Sequence, residues 1–490
     1  MAKILFINPN KWGRGITHIW IASHSGILKR NNHTVELFDA TFYSDWSLNE
    51  VKFQTKNKMY KQTNYDDYLK FNSNNVLDDL QKKIFEFSPD FIFWSAISSH
   101  IHGEGEYVNI QNGYDLLKDL DKKNSILLTG GLQATSASEI ILRKMEKINY
   151  LIGGESELVL LEILNSFDKK KSLNASVDLE SIDGISFIKE NKFVQNKKQK
   201  IINDLDKISP YDYDIFDNQS LLRPYNGSVV KAVDFEMSRG CIYSCNYCVE
   251  TIIQKYYDFN ESSPKTGAIK NFKSYLRNKS SKKIFDELLY LNKEKNIELI
   301  RCQDTNFLTN DRNILLELSN LIDKSDLTIK IYIETRPEGI NEKSIDLLKK
   351  LKVDGVGMGI ELADETFREN ALNRFADQEK TLNAFKLLKV NGIKRTAYNI
   401  IGLPNQDEES ILRTIEFNKK LNPDNITVAF YSPYYGTRSQ IDGKEAGIFD
   451  DYEFDVDSAL RSKSKDTILL PIDKLKFYKK NFVNLVRDET

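Results

Sequence analysis

Residues 233–250 read VDFEMSRGCIYSCNYCVE. Val233–Met237 is an apolar run of strand length, and Cys241, Cys245 and Cys248 follow within eight residues, spaced C-x3-C-x2-C. Three thiols this close, just after a strand, point to a metal centre; a disulfide scaffold would spread an even set along a short chain. A closed zinc site takes four ligands, usually a second cysteine pair or histidines. No histidine follows His102, and the one further thiol, Cys302, ends a later apolar run, where cysteine is more often a small buried hydrophobe. Cubane iron–sulfur clusters usually take four thiolates. Three leave one iron with an open position, the mark of a catalytic rather than a structural centre. An amine and a carboxylate of a bound molecule would fill it.

Six strand candidates begin with that run: Val233–Met237, Ile297–Cys302, Thr328–Thr335, Gly355–Glu361, Ile393–Gly402 and Ile426–Tyr431. Helical stretches separate them, among them Lys282–Asn292, Glu342–Lys350 and Glu408–Leu421. Six βα units predict an open (β/α)6 barrel over residues 228–445, with the cysteine loop at its C-terminal mouth, where such barrels do chemistry. Upstream, apolar runs at Lys3–Asn8, Thr34–Asp39, Asp90–Ala96, Ser125–Thr129 and Tyr150–Gly153 alternate with helical segments. Continuous apolar strands between helices predict a parallel sheet covered on both faces, a doubly wound (Rossmann-like) α/β domain over residues 1–168. Residues 169–227 are rich in Lys, Asn, Asp and Tyr, with a small hairpin at Gly184–Ile188 and Lys192–Val194; they read as a linker. Residues 446–490 form a charged, partly helical extension.

Composition sets the outer limits. A chain of 490 residues predicts two or three domains. Lys plus Arg (69) nearly balances Asp plus Glu (71), so nothing global draws the chain to nucleic acid or an acidic membrane. No apolar run reaches bilayer length, and the start MAKILFINPN lacks the layout of a signal peptide, so the expected location is cytoplasmic.

The cysteine motif, with aromatic Tyr247 before its last cysteine, resembles the radical S-adenosylmethionine (SAM) superfamily. The resemblance implies a [4Fe-4S] cluster that reduces and cleaves SAM to a 5′-deoxyadenosyl radical, with a donor such as flavodoxin or ferredoxin. It also implies roles for the other strand ends. Asp304, in Cys302-Gln-Asp304-Thr-Asn306-Phe307, stands at the acidic motif expected to meet the methionyl amine. Arg336 is placed for the SAM carboxylate, Glu361 near the ribose, and Gly402, in Gly402-Leu-Pro404, near adenine. Tyr431-Ser-Pro433-Tyr-Tyr-Gly436-Thr437 matches a common Pro–Gly–Thr turn of the family. Each has a plainer reading: Asp304 as a helix cap, Arg336 and Glu361 as an ion pair, Gly402 as a turn.

The first domain is similar to the cobalamin-binding domain fused to many of these enzymes, the class B methyltransferase arrangement. Gly130, Gly131 and Thr135 follow the fourth strand; Gly154 and Glu155 follow the fifth. Glycines at βα turns let backbone approach a large ligand. The histidine motif that ligates cobalt is missing after the first strand, where Asn10-Lys-Trp12 stands instead. Trp12 is read either as a floor under the corrin or as packing. His100 and His102 are weaker cobalt candidates, and Gly103-Glu-Gly-Glu106 is an acidic motif after the wrong strand. The domain could also be degenerate and bind nothing.

These readings predict a cobalamin-dependent methyltransferase acting on an unactivated carbon (or phosphorus) of a small molecule. A cobalamin-domain enzyme that cyclises, rearranges or oxidises without methyl transfer is the alternative, and a non-catalytic metal-binding interaction protein a third. The insert Thr251–Lys283, with Lys255, Tyr256, Tyr257, Lys265, Lys270, Phe272, Lys273, Tyr275 and Arg277, is read either as a cover for the mouth that meets an anionic substrate or as a solvated face.

Overall fold

The computed structural model describes residues 1–48, 50–59, 61–95, 109–173, 179–259, 261–431, 434–445 and 469–488. His100, His102, Gly103–Glu106, Pro433 and much of the C-terminal extension therefore lie outside the described residues.

Two seven-stranded sheets organise these residues. The first holds β1 (Lys3–Asn8), β2 (Thr34–Asp39), β3 (Phe91–Ser95), β4 (Ile126–Gly130), β5 (Tyr150–Ile152), β6 (Ile185–Lys189) and β7 (Lys192–Gln195), in the order β2-β1-β3-β4-β5-β6-β7. The first five are parallel. Every residue of β3 is buried, as a central strand covered on both faces requires. The chain reverses direction of travel across the sheet between β1 and β3, and ligands of open α/β sheets lie at the carboxyl ends beside such a switch point.

The segment read as a linker is structural. Its hairpin pairs antiparallel with β5 and extends the first sheet. Its last strand, β8 (Leu222–Tyr225), pairs antiparallel with β9 (Ser228–Phe235) and closes one edge of the second sheet. A hairpin satisfies only half of its backbone groups by itself, so an unpaired sheet edge beside it is a ready partner.

After β9 come two short strands that pair with each other, β10 (Ser238–Arg239) and β11 (Arg277–Asn278). The remaining strands are β12 (Leu299–Cys302), β13 (Lys330–Glu334), β14 (Val353–Glu361), β15 (Lys394–Ile401) and β16 (Asn425–Phe430). With β9 they form six parallel strands in chain order, the open barrel expected from the sequence. Helices return between them, capped by short polar side chains: Asp311 accepts from Asn313 and Ile314 N–H, and Asn341 forms a capping box with Ser344. The helix Ile472–Arg487 covers the β15–β16 end of the barrel through Leu475, Phe482 and Val483. No helix among the described residues is long and apolar enough to cross a membrane.

Candidate active site at the mouth of the barrel

The cysteine loop is held from every side before any metal is considered. Asp304, 2% exposed just past β12, accepts the backbone N–H groups of Met237 (2.7 Å) and Ser238 (3.2 Å) on Oδ1. Its Oδ2 accepts Ser238 Oγ (2.8 Å) and Asn310 Nδ2 (2.6 Å). A carboxylate has about four lone-pair sites. All four are in use, so the structure corrects the expected role of Asp304: it pins the start of the loop and has no oxygen left for a methionyl amine. Nor does it cap the next helix, which Asp311 does. Further along, Gln254 Nε2 donates to the carbonyls of Cys241 (3.0 Å) and Tyr243 (2.9 Å), and Asn373 Nδ2 to that of Ser244 (2.8 Å). Gly240 adopts φ 98°, and a Cβ there would lie 2.5 Å from the Tyr275 carbonyl oxygen. The insert contributes too: Ile269 N–H donates to Ile242 and Ser244 N–H to Gly267, each at 2.8 Å.

Cys241 and Cys245 are buried and Cys248 half-buried; all four cysteines, Cys302 included, are unpaired. Burial pushes the Cys241 thiol up to about 12, with the Glu250 carboxylate adding to it. Burial and then the neighbouring Cys245 and Cys241 push Cys248 up as well. The thiols thus sense one another, and metal charge is what would offset the mutual repulsion of their thiolates.

Arg336, 7% exposed, follows β13 and stacks its guanidinium 3.9 Å from the centre of the Tyr243 ring, inside the cysteine loop. Its Nη2 donates to Glu338 Oε1 (3.0 Å) and to the Phe375 carbonyl. Its Nε and Nη1 are buried with no hydrogen-bond partner among the described residues. A buried guanidinium with unused donors suits a carboxylate, so SAM fits here. Glu361 ends β14 after a register shift, in the left-handed region at φ 61°. Tyr247 donates to its Oε1 (2.9 Å), and Arg374 lies 3.7 Å away. Tyr247 and Glu361 are therefore in contact, whereas Arg336 pairs with Glu338, not with Glu361. Gly402, at φ 84°, is fixed by Gln406 Oε1 (2.7 Å) and would bring a Cβ within 3.1 Å of Leu475.

Across the mouth lies the first sheet. One cleft of about 260 Å³ is bordered by Trp20, His24, Ser95, Gly131, Leu132, Gly154 and Glu155 on that side, and by Glu236, Arg239, Gly240, Val249, Glu250 and Arg277 on the barrel side. Gly131 takes φ 88°, and Thr135 Oγ1 joins the two glycine turns, donating to the Gly131 carbonyl (2.7 Å) and accepting Gly154 N–H (2.8 Å). Gly130 lies against the Phe93 ring. Gly154 is overlaid: a Cβ there would meet Tyr257 Oη at 2.4 Å. Glu155 is engaged by Arg277 Nη1 (2.8 and 2.9 Å) and by Ile202 N–H (2.9 Å). These two residues, which border the cleft, are also held in the domain contact, because the insert folds back onto them. Trp12 is fully buried with Val51 and Tyr65, so it packs away from the cleft and is no corrin floor. Of the insert, Ile253, Tyr275 and Arg277 border the cleft and Lys255, Lys265, Lys270 and Lys273 do not; five carboxylates there face two guanidiniums.

Sequence reading missed Arg239, which binds Glu157 (2.5 Å) and Glu236 (2.8 Å) and joins the two halves two residues before Cys241. It also missed Arg374 and Glu338. Only their proximity in sequence to motif residues could have signalled Arg239 and Glu338; nothing local marks Arg374.

Residues 235–417 match the radical SAM superfamily. The barrel is a radical SAM domain. The cofactors of such a domain are a [4Fe-4S] cluster and SAM. Over 458 residues the chain is 24% identical to the anaerobic magnesium-protoporphyrin IX monomethyl ester cyclase of Rubrivivax gelatinosus, covering 91% of this chain and 71% of that one. An uncharacterized methyltransferase of Pyrococcus horikoshii is 26% identical over 364 residues, 74% of this chain and 71% of its own. Among solved structures, the radical SAM methyltransferase TsrM from Kitasatospora setae superposes with a TM-score of 0.67 at 15% identity, over 91% of this chain and 76% of TsrM. The cobalamin-dependent radical SAM enzyme OxsB gives 0.66 at 15% identity, over 100% and 66%. At that identity the likeness is one of fold, and it spans both domains.

Proposed function

We propose that the chain is a cobalamin-dependent radical SAM methyltransferase acting on an unactivated carbon of a small molecule. The cleft carries this reading: Gly240, Val249 and Glu250, which flank the cysteines, and the carboxyl ends of β3, β4 and β5 line one cavity. Cys241, Cys245 and Cys248 would hold the cluster, and Arg336 the SAM carboxylate. Glu361, oriented by Tyr247, and Gly402 border the nucleoside side, while Asp304 positions the loop. On the first domain, Ser95, Gly131, Leu132 and Trp20 would meet the corrin; Gly131 allows close backbone approach, and Trp20 Nε1 is buried without a hydrogen-bond partner among the described residues. When bound, the cluster supplies one electron to SAM and cobalamin supplies a methyl carrier. Apolar Ile16, Ile19, Val249 and Ile253 on the cleft wall keep water from that chemistry. The names of TsrM and the Pyrococcus relative support methyl transfer.

Electrons must come from outside. Exposed Lys265 and Lys273 lie on the insert that hydrogen-bonds the cysteine loop, a surface that suits an acidic donor such as flavodoxin or ferredoxin. Unpaired cysteines suit a reducing cytoplasm.

The second reading, ring formation or oxidation without methyl transfer, is favoured by the cyclase relative, whose alignment spans 91% of the chain. One experiment separates the two. Anaerobically reconstituted protein with SAM, cobalamin and a low-potential reductant should form 5′-deoxyadenosine together with S-adenosylhomocysteine. Deoxyadenosine alone would move the reading to the second class, and loss of corrin absorbance on gel filtration would sink the cobalamin part. Cys245→Ala should abolish both the cluster absorbance and deoxyadenosine; retained product would overturn the cluster assignment.

A further inference from the structure

Three buried polar atoms stand side by side after β13 with no hydrogen-bond partner among the described residues: Arg336 Nε, Arg336 Nη1 and Glu338 Oε2. The bond from Arg336 Nη2 to Glu338 Oε1 (3.0 Å) fixes their proximity, since each orphan shares a carbon with an atom of that pair or lies one bond beyond it. Two are donors carrying positive charge, and one is an acceptor. Buried polar groups are nearly always satisfied. A set of opposite character beside the cysteine loop therefore calls for a ligand that brings both a carboxylate and N–H groups. Burial raises the Glu338 carboxyl, but Arg336 and Arg374 outweigh it and hold it below its ordinary range, so it is ionised at neutral pH.

We propose that Arg336 and Glu338 together clamp the α-amino-acid end of SAM, Arg336 taking the carboxylate and Glu338 Oε2 accepting from the amine. The amine role thereby passes from Asp304, whose lone pairs are spent on Met237, Ser238 and Asn310, to a residue after the next strand. The assignment rests on the radical SAM reading of the site. An amine bound to metal through its lone pair still has N–H bonds to donate, so the clamp is compatible with the cluster.

The test compares ligand binding, not turnover, to cluster-loaded protein under anaerobic conditions. The ligands are S-adenosylhomocysteine, its deamino analogue and 5′-methylthioadenosine, which lacks the amino-acid end. Wild-type protein should prefer S-adenosylhomocysteine to the deamino analogue by about tenfold or more, the range for a charge-assisted hydrogen bond. Glu338→Gln should lower that preference by about tenfold while binding 5′-methylthioadenosine as before. If Glu338→Gln does not fold, Glu338→Asp, which withdraws the charge by one methylene, should cut the same preference. A preference left intact in the variant that folds overturns the clamp. Wild-type protein that fails to distinguish S-adenosylhomocysteine from 5′-methylthioadenosine would overturn the underlying SAM reading as well.

Discussion

Glu361 is a carboxylate held where glycine would be at ease. Its φ of 61° carries a steric cost for a residue with a Cβ, and Tyr247 and Arg374 keep the side chain in place. Removing the carboxylate while keeping the Cβ should therefore retain the strain. Glu361→Gly is expected to be more stable than Glu361→Ala by about 1 kcal/mol, read from urea midpoints. Equal midpoints would show that the backbone is unstrained there. At this scale the cysteine loop was legible as a candidate because its three thiols are neighbours in sequence. Asp304 was visible as an acid at a strand end, but its role was not, since two of its donors, Met237 and Ser238, lie 67 and 66 residues upstream. Glu338 was passed over for a similar reason: an unused oxygen is a property of surroundings, not of spacing.

The helix Ile472–Arg487 acts on the site as a unit. Leu475, 1% exposed, packs on Ile401 and Ile426 and backs the turn at Gly402. Leu475→Ala should cost about 2–5 kcal/mol and also weaken SAM binding, because the Gly402 turn loses its support; full SAM affinity would confine the helix to a packing role. The insert is predicted to act outwardly. Lys265→Glu combined with Lys273→Glu should slow deoxyadenosine formation driven by an acidic flavodoxin and leave formation driven by dithionite unchanged. A loss with both reductants would place those lysines elsewhere in the reaction. Strands and helices of the barrel were readable from apolar runs and periodicity. The hairpin β6–β7 was readable as a hairpin but not as part of the first sheet, because the partner of an edge strand is chosen by tertiary contact.

Between the two halves runs a buried ion network in which Arg239 meets Glu157 and Glu236, and Arg277 meets Glu155. Burial pushes the Glu157 carboxyl up, but Arg239, with His24, outweighs it and holds it at about 2, below its ordinary 4.5. A carboxyl with a depressed pKa in the folded state contributes stability that is fully present above its unfolded value. That contribution, about 3 kcal/mol, should fade as pH falls from about 4.5 toward 2. Urea midpoints between pH 6 and pH 3 should drop further for wild-type protein than for Glu157→Gln, and parallel curves would remove Glu157 from the acid response. A network of this kind could not be foreseen from either half alone, because each partner is an ordinary charged residue in its own segment. The bonds that shape the cysteine loop, from Asp304, Gln254, Asn373 and the insert, are all made by the protein to itself. The loop is a mould set during folding, so the ordering entropy is met before iron arrives and is not charged against its binding. Stripped and loaded protein should then share one backbone signature in the far ultraviolet, and a cluster lost to oxygen could be rebuilt in place without refolding the chain.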